Sequence, residues 1–320
     1  MNAAPASSSL RDERGGGETA GTLYALGAYV LWGVLPLYFV ALAPAGSWEV
    51  VAWRVLLSLV FCALLLTVTR GWGRFVAVLR RPRLALLMGL AGALIYGNWQ
   101  VFVLATQSDQ VLEASLGYFI NPITTVLLAV IVLRERLRVL QWIAIGVAAV
   151  AVVVIIVGYG DVPWYALLLT ATFGAYGLVK KQVGGSVDAT SGLALETLWL
   201  APVAVVQLAL VAASTGITLG TAGAWHTVLL LSAGVVTAIP LLLFAAGARR
   251  VSLTTIGLLQ FAGPILQFIV GAAVLHEPMP PARWVGFGIV WIACVLLMAD
   301  QVRHARRARI ARGVAIDGGA

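Results

Sequence analysis

Glu113, Gly117, Asn121 and Thr125 recur at intervals of four, which on a helix stacks a carboxyl, a gap, an amide and a hydroxyl on one face. Gly257, Gln260, Pro264, Gln267 and Gly271 repeat the device at intervals of three, four, three and four. Side chains of this kind hold an organic ligand by hydrogen bonds. Bond-making chemistry has no comparable pattern: the chain carries no phosphate-cradling Walker loop, no Ser/His/Asp set of usable spacing and no paired-aspartate motif. His226, His276 and His304 are scattered without ligand spacing, so neither a metal nor a cofactor is implied. What remains is recognition, with no ATP motor in the chain.

Both rows stand where water is scarce. With 61% hydrophobic residues, 11% charged residues and a mean hydropathy of +0.97, the chain is too apolar for a soluble domain. Runs of about 20 apolar residues cross a bilayer as helices, and ten are expected, near 22–42, 48–69, 84–105, 111–133, 138–157, 162–179, 189–212, 226–247, 252–274 and 282–299. At ~1.5 Å per residue Asn121 lies ~15 Å from the outer end of its helix and Gln260 ~12 Å from the inner end, so both reach the middle of the membrane. Pro122 and Pro264 lack the N–H that would bond the carbonyls of Tyr118 and Gln260. At this depth such carbonyls must face protein or a water-filled cavity. Similar rows are Tyr29, Trp32 and Pro36; Gly89, Gly92, Tyr96 and Trp99; Phe173, Tyr176 and Lys180; and Gly234, Thr237, Pro240 and Phe244. An aromatic-walled path with a few polar groups suits amphipathic organic molecules better than bare ions. Helix packing is the alternative use of the same residues.

Four ionisable groups fall in or at the ends of spans: Glu49, Arg54, Glu113 and Glu196. A charge at the bilayer centre costs ~2.5–3.5 kcal/mol on the insertion scale, so an embedded one needs a partner or water. Glu49 and Glu113 occupy first turns at the outer face, where the helix dipole favours an acid and a solvated interfacial carboxylate is expected. Arg54 and Glu196 lie deeper, approached from opposite faces with a mismatch of ~10 Å, so each has either the other or another helix as its partner. An intramembrane carboxylate, Glu113 or the deeper Glu196, is a candidate proton carrier, and exchange is the other route to uphill movement. Cys62 and Cys294 fall inside spans as small buried hydrophobes.

In the ten-span arrangement 19 of the 21 basic residues lie on one side, which places both termini in the cytoplasm of a multi-pass bacterial inner-membrane protein. The run Arg303 to Arg312 then serves as a topological anchor rather than a nucleic-acid contact. Self-comparison at an offset of 142 matches Pro122, Glu135, Trp142 and Gly146 to Pro264, Glu277, Trp284 and Gly288. Each unit holds five spans, an odd number, so the second enters the membrane inverted, as in secondary transporters with a site at the interface between repeats. The expected domains are a polar cytoplasmic tail over 1–21, five-helix repeats over 22–158 and 162–299, and a basic cytoplasmic tail over 300–320.

The stretch EASLGYFINPITTVLLAVIVLRERLRVLQWIA (113–144), with LWGVLPLYF (31–39), EVVAWRVLLSLV (49–60), GNWQVFVLA (97–105) and TAIPLLLFAAGARR (237–250), resembles the RarD type of the drug/metabolite transporter superfamily, whose halves are EamA domains. The resemblance covers nearly the whole chain between the polar tails. It implies ten helices with an internal duplication and, by the family's label, a chloramphenicol-sensitivity permease among carriers of small metabolites. It supports Trp32, Pro36, Glu49, Arg54, Asn98, Trp99, Glu113, Tyr118, Asn121, Pro122, Glu196, Pro240 and Gln260 as motif positions. Trp53 stands where histidine is expected, which removes a titrating group beside Arg54. The expected protein is all-α and polytopic, a secondary exporter of a small organic metabolite or drug by alternating access, its partners being that substrate and the lipid bilayer. A lipid flippase or scramblase and a membrane-embedded enzyme are the alternatives, since fold does not set substrate.

Overall fold

The computed structural model describes residues 6–134, 137–183 and 186–317, and their regular structure is helical. In chain order the elements are α1 (Ala6–Ala41), α2 (Ser47–Val68), α3 (Trp72–Leu79), α4 (Pro82–Gln107), α5 (Val111–Leu133), α6 (Val139–Tyr159), α7 (Trp164–Val183), α8 (Ala189–Ser214), α9 (Ala224–Leu231), α10 (Ala233–Ala248), α11 (Leu253–Leu259), α12 (Ala262–Ile269), a π-helical turn (Val270–Val274) and α13 (Pro281–Asp317). Residues 6–21 and 300–317, expected as tails, continue α1 and α13. Glu135, the partner of Glu277 in the internal comparison, lies outside the described residues.

Nine helical stretches among the described residues are long and apolar enough to cross a bilayer, where ten were expected. The difference falls at 162–179, the place of α7. That helix has 20 residues, enough for ~30 Å, but it carries Thr170, Thr172, Lys180 and Lys181. Thr170 donates to Thr124 of α5 at 2.9 Å, Thr172 accepts from Asn98 of α4 at 3.1 Å, and Lys180 pairs with Glu196 of α8. Its polarity is spent on neighbouring helices, which a hydropathy average cannot register. On the outside of the bundle Leu64, Val153, Leu210 and Ile292 are exposed as a lipid-facing surface requires, with exposed Trp48, Trp164, Trp225 and Trp284 at helix starts as an interfacial belt.

Proline acts differently in different helices. Pro36, Pro122, Pro202 and Pro240 sit inside unbroken α1, α5, α8 and α10. Pro264 coincides with a break: the run expected over 252–274 divides into α11 and α12 at Gln260 and Phe261, where the Gln260 carbonyl has no N–H four residues on. The expected 226–247 span is notched at Ser232, between α9 and α10, where the Tyr38 hydroxyl donates to the Leu229 carbonyl at 2.8 Å. The short α3, not anticipated, seats Phe75 and Val78 in the core and leaves the arginines of its connection outward.

α1 packs on α10 and α12, and α7 packs on α4 and α5; α2 lies against α8 and α10, α8 against α2 and α4, and α6 against α13. Exchanging the halves of the chain maps these contacts onto one another. Gly92 of α4 and Gly234 of α10, 142 positions apart, both lie at close crossings: a Cβ on Gly92 would stand 3.0 Å from the Glu196 carbonyl oxygen, and one on Gly234 would collide with the Leu57 carbonyl. Both were expected on pathway-facing rows, yet the absent side chain lets two backbones meet.

Candidate functional site

Arg54 projects from α2 into the bundle and is 5% exposed. Its Nε donates to Thr237 Oγ1 of α10 at 2.8 Å, while the threonine hydroxyl donates onward to the Ala233 carbonyl at 2.7 Å. The guanidinium carbon lies 4.2 Å from the Trp99 ring centre and 5.3 Å from that of Phe39. Desolvated cation–π contacts contribute about 2 kcal/mol and offset part of the cost of embedding the charge. Glu196 is not its partner. The ion pairs among the described residues are Arg138–Asp300, tying the start of α6 to α13, and Lys180–Glu196 at 2.9 Å.

A run of ring contacts links the two buried charges. Phe39 meets Phe102 at 5.9 Å, Phe102 meets Tyr118 at 5.6 Å, Tyr118 meets Phe173 at 5.9 Å and Phe173 meets Tyr176 at 6.0 Å. The Tyr176 hydroxyl then reaches Glu196 at 3.4 Å. Asn98, 2% exposed, fixes the middle of this path: it accepts from the Tyr118 hydroxyl at 3.1 Å and donates to the Leu169 carbonyl and Thr172 hydroxyl at 3.1 Å each. Tyr118 and Tyr176 are half-buried, whereas Phe39 and Phe102 are buried. One turn below Tyr118, the buried Oδ1 of Asn121 has no hydrogen-bond partner.

Other expected site residues have structural partners. Gly117 presses on α7, where a Cβ would stand 2.7 Å from the Ala166 carbonyl oxygen. Gln267 donates at 3.1 Å to the Trp32 carbonyl, the one Pro36 leaves without an intrahelical donor, so this amide repairs a proline defect across the α1–α12 contact. Gln260 donates to the Gly257 carbonyl of its own turn at 2.9 Å, and the Pro264 carbonyl accepts from Ser115 at 3.0 Å. The Tyr96 hydroxyl bonds Gln207 of α8, a residue absent from the sequence-based set; Gln207 in turn donates to the Trp48 carbonyl at 2.5 Å. Pro240 is buried one turn from Thr237.

The outer carboxylates also differ from expectation. Glu49 is 2% exposed rather than solvated, and accepts from the Thr218 N–H at 2.8 Å, the Thr218 hydroxyl at 2.9 Å and the Leu219 N–H at 3.3 Å. Glu113 accepts from the N–H groups of Tyr165 at 2.7 Å and Ala166 at 3.3 Å, at the start of α7. Glu277, in the connection before α13, accepts from Val111 at 2.5 Å and Leu112 at 2.9 Å, at the start of α5. First-turn N–H groups have no intrahelical acceptor, and Glu113 and Glu277 supply one from a neighbouring element, whereas the donors to Glu49 lie in the connection before α9. Burial pushes the Glu277 carboxyl above the usual glutamate range, against the pull of the backbone donors and Arg283. No cluster of three His, Cys, Asp or Glu suited to a metal occurs among the described residues.

The EamA-like transporter family matches twice, over residues 19–157 and 162–299. The chain is 43% identical to Protein RarD of Streptomyces exfoliatus, over 91% of this chain and 92% of that one. It is 39% identical to an uncharacterized transporter of Vibrio cholerae, over 91% and 96%. A solved crystal structure with 18% identity covers 86% of this chain and 96% of its own, with a TM-score of 0.58, a likeness of fold. With matches in both halves, relatives spanning nearly the full length and an apolar helical bundle to hold them, the chain belongs to the EamA-like transporter family and is a membrane transporter.

Proposed function

We propose that the chain exports a small amphipathic organic molecule by alternating access, along the aromatic path between Arg54 and Glu196. The observation that carries this reading is the run of ring contacts through the half-buried Tyr118, which joins the buried Arg54 region to the Phe173–Tyr176 pair. An aromatic wall with few, well-anchored polar groups is the usual make-up of a small-molecule site. The exchangeable contacts of the two halves support an inverted repeat, with α7 as a tenth, polar-faced span. Untargeted comparison of internal and external metabolites in expressing and deleted cells tests the reading; identical profiles would sink it. Glu49 and Glu113 are committed to backbone N–H groups, which leaves Glu196 as the carboxylate on the path for proton coupling. Liposomes loaded with the substrate so found, with and without an imposed pH gradient, separate coupling from exchange: accumulation indifferent to the gradient would remove the proton.

Asn121→Leu should lower transport at least tenfold with an unchanged unfolding midpoint, because its Oδ1 has no protein partner to lose. Gln267→Leu should instead lower stability by about 1–3 kcal/mol, leaving the Trp32 carbonyl unbonded, with transport falling only as folded protein falls. The reverse pattern, measured by uptake and thermal unfolding of each variant, would exchange the two assignments.

Orientation follows from the basic asymmetry, with both termini cytoplasmic in the bacterial inner membrane. In a background without Cys62 and Cys294, a cysteine at position 220 should react with an impermeant reagent added outside intact cells and one at position 74 should not. Labelling at 74 with protection at 220 would invert the topology.

A further inference from the structure

Arg54 differs from the other embedded or half-embedded cations in what it lacks. Lys180 has Glu196 and Arg138 has Asp300. Arg283, equally buried, donates to the Pro278 carbonyl at 3.0 Å and to Gln110 at 3.1 Å. Arg54 has Thr237 on Nε alone: its Nη1 is buried with no acceptor, and neither ion pair among the described residues includes it.

We propose that Arg54 is an anion-binding residue of the transport site, its two terminal amino groups receiving a substrate carboxylate while the rings of Tyr118, Phe173 and Tyr176 take the apolar body attached to it. The inference rests on the path proposed above and names the class of molecule that path accepts. A buried cation held for structure is expected to bring its acceptors with it, as Arg283 does. Arg54 instead is pinned on the side away from its free edge: Thr237 fixes Nε and Trp99 covers one face. That leaves the end-on Nη1/Nη2 fork, which matches the two oxygens of a carboxylate. The ring contacts begin at Phe39, beside the guanidinium, and pass through Phe102 to Tyr118, which suits a monoanion with an aromatic or aliphatic tail. Its charge would complete a pair that the protein alone leaves open, and would dock only in the form that the guanidinium recognises.

The test is calorimetric titration of the full chain in nanodiscs with three probes of one shape: phenylacetate, its neutral amide phenylacetamide, and phenethylamine, a cation at neutral pH. Phenylacetate should bind at least tenfold more tightly than either of the others. Arg54→Met should remove that preference, and Arg54→Lys, which keeps the charge without the fork, should keep part of it. The ranking of the probes on unaltered protein decides the matter even where Arg54→Met fails to fold. Equal affinity for acid and amide, an Arg54→Met variant that titrates like the original, or no binding by any probe would overturn the anion site. Metabolites that still shift between expressing and deleted cells would then leave the transport reading standing without it, whereas unchanged metabolites would remove both.

Discussion

Gly234→Val is expected to leave almost no folded transporter in the membrane. A Cβ at this position collides with the Leu57 carbonyl and would stand 2.9 Å from the Ser58 nitrogen, so what it meets is the backbone of α2. No rotamer change clears a backbone; α10 would have to part from α2. Thr237 lies one turn further along α10 and holds Arg54 across this crossing, so separation also strips the buried guanidinium of its one hydrogen-bond acceptor. An overpacked core costs about 1–3 kcal/mol where side chains can adjust, and a rigid backbone collision exceeds that range. Gly92→Val at the α4–α8 crossing should be milder, because the tightest approach there is 3.0 Å. Gly146→Val and Gly288→Val are the controls, since nothing lies within 4 Å of a Cβ at either position. Size-exclusion profiles of detergent extracts decide it: a monodisperse Gly234→Val peak at the level of the controls would show that the two helices do not meet as closely as described.

These glycines mark the boundary of what the sequence makes legible. The all-helical membrane fold follows from long apolar runs, a property of composition that needs no knowledge of neighbours. Unusual residues were equally visible: Arg54, Trp99, Tyr118, Tyr176 and Glu196 are conspicuous in such runs, and the structure links them through contacting rings. Which group answers which was not visible. Arg54 finds Thr237 at a separation of 183 residues, and Gln267 finds the Trp32 carbonyl at 235. Helical spacing places a residue on a face but does not say which helix that face will meet, so the contacts of Gln267 with α1 and of Gly117 with α7 could not be read from the rows that hold them. Glu49 was misjudged for a related reason. A carboxylate in a first helical turn looks solvated until the free N–H groups of a distant connection, here Thr218 and Leu219, come to rest on it. The run expected at 162–179 was legible and α7 occupies it, but that one of its faces carries Tyr176 and Lys180 to Glu196 was not.

That last contact yields the second large effect. The Glu196 side chain is 3% exposed and the Lys180 side chain 34%, so the two halves of the ion pair are not equally dependent on each other. Lys180 adjoins the C-terminal end of α7 and can turn its ammonium toward water when Glu196 is gone. Glu196 cannot follow: without Lys180 its remaining partner is the Tyr176 hydroxyl at 3.4 Å. Lys180→Met should therefore destabilise by about 3 kcal/mol, at the lower end of what breaking a buried pair costs, and Glu196→Leu by about 1 kcal/mol. The double variant Lys180→Met/Glu196→Leu should return to within about 1 kcal/mol of the original, since replacing both charges by apolar groups leaves nothing buried and unpaired. Denaturant titration in mixed micelles measures the cycle. Additive losses in the double variant would mean that the two side chains do not act on each other. Transport supplies the other half of the test. If Glu196 carries the coupling proton, the refolded double variant should exchange substrate but fail to accumulate it under a pH gradient, and accumulation equal to the original would confine the pair to holding α7 on α8.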